Sequence, residues 1–149
     1  MRPARVLSGG QSGVDRAALD AALAVGLPVG GWCPAGRWAE DGPIAEIYPL
    51  IETASADPAE RTRRNVADAD ALLVLAPLPV GGGTVLALGH ALALGRPVLV
   101  VDPRTADTVA RIVGFGAGGV VNVAGPRESE VPGLYVATLR VLEAAWMLT

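Results

Sequence analysis

Short apolar runs alternate along the chain with segments whose apolar residues recur at helical spacing. Asp70 to Ala76 and Arg96 to Asp102 are apolar at nearly every position, which is typical of strands buried on both faces of a parallel sheet. The other predicted strands are shorter: Ala4 to Leu7, Pro28 to Trp32, Val120 to Val123 and an extended piece at Tyr48 to Glu52.

Predicted helices lie between these strands. Asp57 and Pro58 are typical N-cap and first-turn residues, and Gly26 and Gly95 are typical helix stops. Strands that alternate with helices favour right-handed crossovers, so we expect an α/β fold with a mainly parallel sheet covered on both faces. The helices are predicted over Val14 to Val25, Pro58 to Ala67, Val85 to Leu94, Thr105 to Val113 and Pro132 to Leu148.

The composition limits the class of protein. A chain of 149 residues is long enough for one domain, and we expect residues 1–149 to form it. Aromatic residues are only 4% of the chain, so Ala, Val and Leu must form the core. No apolar run reaches the roughly 20 residues of a membrane span, and a net charge of −3 argues against nucleic-acid or membrane-surface binding. With one cysteine and no leader pattern, we expect a cytoplasmic enzyme or small-ligand binder.

The first predicted strand ends in a glycine-rich turn, S-G-G-Q-S-G, that leads into a helix. Its glycines allow positive φ and a close approach to the main chain, and a helix start attracts anions. The spacing matches neither the P-loop nor the dinucleotide fingerprint, so a tight turn without ligand and an anion-binding loop both stay open. The anion hypothesis predicts that Gly10→Val abolishes binding and leaves the fold largely intact. The candidate residues are Ser8, Gly9, Gly10, Gln11, Ser12 and Gly13.

A second glycine turn, P-V-G-G-G-T, also follows a buried strand and precedes a helix. Gly81, Gly82 and Gly83 expose N–H groups at that helix start, and we expect Thr84 to cap it. In parallel sheets, turns after strands share the carboxyl edge, where ligands bind. The pair of turns therefore predicts a site that holds a phosphate group from two sides.

Charged and polar side chains in two further segments are candidates for the same site. Arg61 shares a helix face with Asn65, and Arg37 lies in the loop W-C-P-A-G-R-W, which Glu40 and Asp41 follow. The arginines could bind the anion, and the carboxylates could bind amino or hydroxyl groups. Solvated surface charge is the alternative for each of them.

The motifs together resemble the molybdenum carrier proteins, also called molybdenum cofactor carriers, within the lysine-decarboxylase-like Rossmann superfamily. The resemblance implies a three-layer Rossmann-like fold, assembly into a homo-oligomer (a dimer or tetramer) and a pocket for the phosphate-bearing pterin of molybdenum cofactor (molybdopterin). Ser12 stands where the family usually has Thr, and Ala35 where it often has Lys. The motifs are S-G-G-Q-S-G-V-D, G-G-W-C-P-A-G-R-W-A-E-D-G, Y-P-L-I-E-T, R-T-R-R-N-V, G-G-G-T and N-V-A-G-P-R-E-S.

The same superfamily contains phosphoribohydrolases, whose motif resembles P-G-G-x-G-T-x-x-E. The position of their glutamate is Ala87 in this chain, and a methyl group cannot act as a general base. The sequence thus favours a binding protein. A hydrolase or transferase that acts on a nucleotide-like substrate through Glu40, Asp41 or Asp15 stays open, as does a nucleotide-sensing module.

Three residues with chemically useful side chains are interpreted as structural. His90 and Cys33 are the single residues of their kinds, so neither predicts a metal site, and Asp15 is favoured in a first helical turn by the helix dipole alone.

The terminal helix is one candidate surface for self-association, and burial in the core is the alternative for the same residues: Leu139, Leu142, Trp146 and Met147.

Overall fold

The computed structural model describes residues 1–147, in which strands and helices alternate in the predicted order. The strands are β1 (Arg5–Leu7), β2 (Val29–Gly30), β3 (Trp32–Cys33), β4 (Ile51–Glu52), β5 (Ala71–Leu75), β6 (Val98–Val101) and β7 (Val120–Ala124). The helices are α1 (Val14–Ala24), α2 (Pro58–Asp68), α3 (Gly83–Ala93), α4 (Thr108–Ile112) and α5 (Leu134–Met147). The predicted helix end at Leu148 lies outside the described residues.

Five strands form one parallel sheet in the order β2-β1-β7-β5-β6, and β3 pairs with β4 in a small second sheet. The single strand predicted over residues 28–32 is thus two strands that belong to different sheets. Gly31 separates them with a φ of 130°, and its Cα packs against the backbone of Ser8. The chain leaves the main sheet at this glycine.

Helices cover both faces of the main sheet. On β5, Leu73 and Leu75 point toward α1, α4 and α5, while Leu72 and Val74 point toward α2 and α3. Every residue of β5 is buried, as its continuous apolar run predicted. The result is the expected three-layer α/β architecture with a parallel sheet in the middle.

Local sequence signals explain most helix ends. The Asp57 side chain accepts a hydrogen bond from the Ala59 N–H at 2.9 Å, which confirms the predicted N-cap of α2. Gly26 and Gly95 follow α1 and α3 with φ of 79° and 69°. The predicted cap at Thr84 is wrong, because α3 already begins at Gly83 and Gly82 is its N-cap. Gly82 has a φ of 57°, a conformation that suits glycine and not threonine.

The last strand in sequence, β7, lies in the middle of the sheet between β1 and β5. The chain runs from β1 outward to β2 on one side, and from β5 outward to β6 on the other. The strand order therefore switches around β7. In open parallel sheets a crevice forms at such a switch, beyond the carboxyl ends of the strands. None of the helices in residues 1–147 is both long enough and apolar enough to cross a membrane.

Candidate functional site

A cleft of about 420 Å³ opens at this switch, and we call it the central cleft. The turn after β1 supplies Gly9 and Gln11 to one wall, and the turn after β5 supplies Gly82, Gly83 and Thr84 to the other. The floor comes from β7 and the loop after it, and α2 contributes polar side chains. The volume falls in the range of small-molecule sites, about 300 to 1,000 Å³. The two glycine turns thus meet at one cleft, as their positions after parallel strands predicted.

The glycines of the first turn are explained by contacts inside the protein. A Cβ on Gly9 would overlap the Arg61 guanidinium, and a Cβ on Gly10 would lie 2.6 Å from Leu50 Cδ1 and 2.8 Å from Ile44 Cδ1. Gly13 packs against the backbone of the loop after β7. Gly10 and Gly13 also have φ of 77° and 78°. These contacts argue against the expectation that Gly10→Val spares the fold, because position 10 faces the buried side chains of Leu50 and Ile44.

Polar groups of the first turn largely bond to one another. The Ser8 hydroxyl donates to the Asp15 carbonyl at 2.8 Å and accepts from the Gly10 N–H at 3.2 Å. The Ser12 hydroxyl accepts from the Glu128 N–H at 3.2 Å, so it joins the turn to the loop after β7. The Gln11 Oε1 accepts from the N–H groups of Ser12 and Glu40, both at 2.9 Å. These bonds fix the shape of the first turn and leave the N–H groups of Gly9 and Gly13 and the side-chain nitrogen of Gln11 without a partner in residues 1–147.

The second turn is different, because only Gly82 is required by the fold, through its φ of 57°. Cβ atoms on Gly81 and Gly83 would have no neighbour within 4 Å. The N–H groups of Gly83 and Thr84 stand in the first turn of α3 and have no hydrogen-bond partner among residues 1–147. Free N–H groups at a helix start attract negative charge. This side of the central cleft can therefore accept an anion directly through its backbone.

Arg61 crosses the central cleft from α2 and is held by two bonds. Its Nη1 donates to Asp15 Oδ2 at 3.0 Å and its Nε to the Pro58 carbonyl at 3.3 Å. A guanidinium has five N–H donors, so others stay available for a ligand. Burial raises the pKa of the Asp15 carboxyl and outweighs the opposing effect of Arg61. Asp15 thus orients Arg61 and is itself only 7% exposed.

A second arginine reaches the central cleft from the loop after β7. Arg127 Nε donates to Glu130 Oε1 at 2.9 Å, and both residues line the cleft near Gly82. The motif interpretation did not single out Arg127, although N-V-A-G-P-R-E-S places it just beyond a predicted strand. Only the sheet order reveals that this strand lies between the two glycine turns.

Asn65 and Arg37 form hydrogen bonds to the backbone of neighbouring segments and have structural roles. Asn65 accepts from the Trp32 N–H at 2.8 Å and donates to the Trp32 carbonyl at 3.0 Å, so its amide attaches β3 to α2 beside the central cleft. Arg37 lies away from the cleft, in a left-handed conformation with φ of 54°. Its guanidinium donates to four carbonyls of the loop before β4: those of Ile44, Ala45, Tyr48 and Leu50.

Glu40 and Asp41 line a separate depression with Ser12 and Gly13, which we call the outer groove. Asp41 accepts from Arg16 at 3.0 and 3.1 Å, and this hydrogen bonding holds the pKa of the Asp41 carboxyl below its usual value. Glu40 accepts from the Ser129 hydroxyl at 2.6 Å. The structure does not bring these carboxylates to the central cleft.

The central cleft also contains residues that sequence reasoning missed. Trp38 stands at the wall, and Asn122 lies on the floor in β7. Asn122 lies inside an apolar strand, where the pattern of the sequence predicts only a core position. Ala87, at the position of the phosphoribohydrolase glutamate, lines the cleft with its methyl group.

Fold and site together define a Rossmann-like α/β protein with a cleft at the switch point of its sheet. A family model described as the circularly permutated YpsA SLOG family matches residues 6–146, and the chain belongs to this family. A crystal structure from Syntrophus aciditrophicus SB, described as a putative molybdenum carrier protein, is similar in fold, with 38% identity and a TM-score of 0.90. That similarity covers 95% of this chain and 94% of the other. A search of curated proteins gave no match. The comparisons confirm the family resemblance and the fold class that the motifs indicated.

Proposed function

We propose that the protein binds and carries a phosphorylated small molecule in the central cleft. Molybdenum cofactor (a molybdopterin) is the leading ligand, and a related nucleotide is the second. The proposal draws on the family, on the molybdenum carrier description of the similar crystal structure and on the chemistry of the cleft. We further propose that the protein acts in the cytoplasm.

The observation that carries the proposal is a pair of largely buried residues whose polar atoms open onto the central cleft and have no partner inside the protein. Thr84 is 6% exposed and lines the central cleft, and its hydroxyl bonds to no other group in residues 1–147. The side-chain nitrogen of Gln11 likewise has no hydrogen-bond partner in residues 1–147, and Gln11 is also 6% exposed. Both atoms are open to the cleft, since the fully buried side-chain atoms without a partner in residues 1–147 are Arg96 Nε and Thr138 Oγ1 alone. A polar ligand in the cleft supplies such partners.

The residues present fit a phosphate group. The open space at Gly83 admits an anion against the start of α3, and the hydroxyl of Thr84 adds a donor; Gly81 does not line the cleft. Arg61 and Arg127 face the same space and keep free N–H groups beyond those that bond to Asp15 and Glu130. Charge-assisted bonds from these groups are the strong ones in phosphate binding.

A nucleotide-processing hydrolase or transferase is the second candidate. The favouring observation is Asp15, a buried carboxylate at the central cleft, whereas Glu40 and Asp41 lie in the outer groove. Incubation with nucleoside monophosphates and assay of the released base test this activity. Rapid turnover that Asp15→Asn abolishes would replace the carrier proposal with the enzymatic one.

Mass spectrometry of small molecules released from the purified protein tests the carrier proposal. We expect a phosphorylated pterin or nucleotide, at reduced occupancy in Arg61→Ala. Titration calorimetry with the released compound should show a loss of roughly 1.5 to 3 kcal/mol in that variant. Arg63→Ala is the matched control, because Arg63 is exposed on the same helix. Full affinity in a folded Arg61→Ala protein would place the ligand elsewhere.

We also propose that the protein is a homo-oligomer, either a dimer or a tetramer. Leu142 and Trp146 of the terminal helix are in the core, so α5 offers less apolar surface than its sequence suggested. The apolar side chains of α3 are better candidates, since Val85 is 51% and Leu92 70% exposed. Light scattering at micromolar concentration tests the proposal, and a monomer there would end it.

A further inference from the structure

Asn122 is the most buried polar side chain on the floor of the central cleft. It lies in β7, with Leu7 of β1 on one side and Leu72 of β5 on the other. Its exposed fraction is 3%, and it lines the cleft together with Gly9 and Arg61. Its amide atoms have no hydrogen-bond partner among residues 1–147, and they are open to the cleft, since the fully buried side-chain atoms there that lack a partner are Arg96 Nε and Thr138 Oγ1. An amide so placed is expected to bond to whatever occupies the cleft.

Asn65 provides an internal comparison. It is also an asparagine at the central cleft, and it is 2% exposed. Both atoms of its amide are bonded to the Trp32 backbone, at 2.8 and 3.0 Å. Of the two asparagines that line the cleft, one is thus paired within the protein and the other is not. An amide carries an adjacent donor and acceptor, which match the edge of a planar heterocycle with the same two features.

Trp38 offers the face for such a ring. It is 48% exposed and is the one aromatic residue among those that line the cleft within residues 1–147. The other two tryptophans are engaged: Arg64 lies 4.6 Å above the Trp32 ring, whose N–H donates to Asp68, and Trp146 is in the core. Trp38 alone combines an exposed ring with a position at the cleft.

The backbone around Trp38 is fixed on both sides. The preceding residue, Arg37, bonds to four carbonyls, and the N–H of Glu40 donates to Gln11 Oε1 at 2.9 Å. Ala39 between them is 3% exposed. The backbone that carries the indole is therefore held beside the cleft, so a ring that stacks on Trp38 needs no rearrangement of the loop.

We propose that Asn122 and Trp38 form a ring subsite, in which Asn122 pairs with the edge of a planar heterocycle and Trp38 stacks on its face. The proposal rests on the proposed function, since the phosphate of the same ligand binds at α3 and Arg61. It adds the residues that recognise the ring: through Asn122 and Trp38 the central cleft selects phosphates that carry a planar heterocycle with an adjacent donor and acceptor. Sugar phosphates without such a ring bind more weakly.

Titration calorimetry with three probes tests the ring subsite: GMP, neopterin monophosphate and ribose 5-phosphate. We expect the wild-type protein to bind at least one ring compound more tightly than ribose 5-phosphate. Trp38→Ala should weaken binding of that compound about 5- to 100-fold, as base stacking does elsewhere. Trp38→Phe should keep most of the affinity, and neither variant should change the binding of ribose 5-phosphate.

Asn122→Leu separates recognition from structural support. Leucine has a similar volume and no polar group, and the Asn122 amide bonds to nothing in residues 1–147, so the substitution should change the melting temperature little. It should nevertheless weaken ring-compound binding about tenfold or more, with ribose 5-phosphate unaffected. The matched Asn65→Leu variant should instead lower the melting temperature, because the Trp32 backbone loses its partners.

The outcomes distinguish the two proposals. If ribose 5-phosphate binds and no ring compound binds more tightly, the ring subsite is overturned and phosphate binding stands. Unchanged affinity for the ring compounds in Trp38→Ala and Asn122→Leu would also overturn the ring subsite and leave phosphate binding in place. Equal losses for all probes would reduce both residues to structural roles. If the wild-type protein binds none of the three, phosphate binding and the ring subsite fall together.

Discussion

The guanidinium of Arg61 lies directly against Gly9, in the space that a side chain at position 9 would fill. The same guanidinium is held by Asp15, six residues along the chain from Gly9 and in the first turn of α1. Arg61 of α2 thus contacts both the turn after β1 and the first turn of α1. The absence of a side chain at Gly9 is what allows Arg61 to reach the central cleft.

Gly9→Ala should weaken phosphate binding by displacing Arg61. The nearest atoms to the added methyl group belong to the flexible Arg61 side chain, so the protein should still fold. Its free energy of unfolding should fall by about 1 to 3 kcal/mol, because the bond between Arg61 and Asp15 breaks. Calorimetry with the ligand should show a loss of affinity close to that of Arg61→Ala. If Gly9→Ala keeps wild-type affinity, Arg61 does not bind the ligand from this position.

Gly10→Val should destabilise the protein by about 2 to 5 kcal/mol. A β-branched residue is strained at a φ of 77°, and its side chain would collide with Leu50 and Ile44. Denaturant unfolding measures the change. A stability within about 0.5 kcal/mol of wild type would contradict the packing of this turn.

Gly83→Ala and Gly89→Ala form a matched pair on α3. Neither glycine has a positive φ, and an added Cβ at either has no neighbour within 4 Å. Both substitutions should leave stability unchanged or raise it by up to about 1 kcal/mol, because alanine favours a helix. Only Gly83→Ala should weaken ligand binding, since position 83 lines the central cleft. Equal affinities in calorimetry would remove the second glycine turn from the binding site.

Arg37→Ala should lower the free energy of unfolding by about 2 to 4 kcal/mol. The substitution leaves four backbone carbonyls of the loop before β4 without their donor. Arg63→Ala, at an exposed position, should change it by less than about 0.5 kcal/mol. Denaturant unfolding of both variants provides the comparison, and equal values would show that the loop does not depend on Arg37.

The two tyrosines should resist ionisation in the folded protein. Burial, together with donation to Asp20, raises the pKa of Tyr48 from 10.0 to about 12 and raises the pKa of Tyr135 as well. The folded state therefore keeps protons that the unfolded chain loses above pH 10. Their contribution to stability is present below that pH and is lost as the pH rises toward 12.

Spectrophotometric titration of tyrosinate checks this prediction. At pH 10, the ordinary pKa of tyrosine, the folded protein should show little tyrosinate, and the denatured protein should show about half. An Asp20→Asn variant should lower both tyrosine pKa values, because it removes the negative charge beside the phenols. Half-ionised tyrosine in the folded wild-type protein at pH 10 would contradict the arrangement.

Local patterns were enough to predict the elements that form the core. The apolar run that becomes β5 and the Asp57–Pro58 start of α2 are both where the sequence placed them. These features depend on neighbours within a few residues, so hydrophobic periodicity, helix capping and turn residues determine them. The break at Gly31 was missed because it depends on the backbone of Ser8, which is distant in sequence.

The sequence by itself determined the α/β class, the family and the two glycine turns at one edge of a parallel sheet. Only the tertiary structure decided which polar groups face the central cleft. The position of β7 between β1 and β5 brings Asn122 and Arg127 to the cleft, and no local pattern encodes that order. The same packing pairs Asp41 with Arg16 in the outer groove. Whether a polar side chain is free for a ligand depends on partners that folding brings from far along the chain.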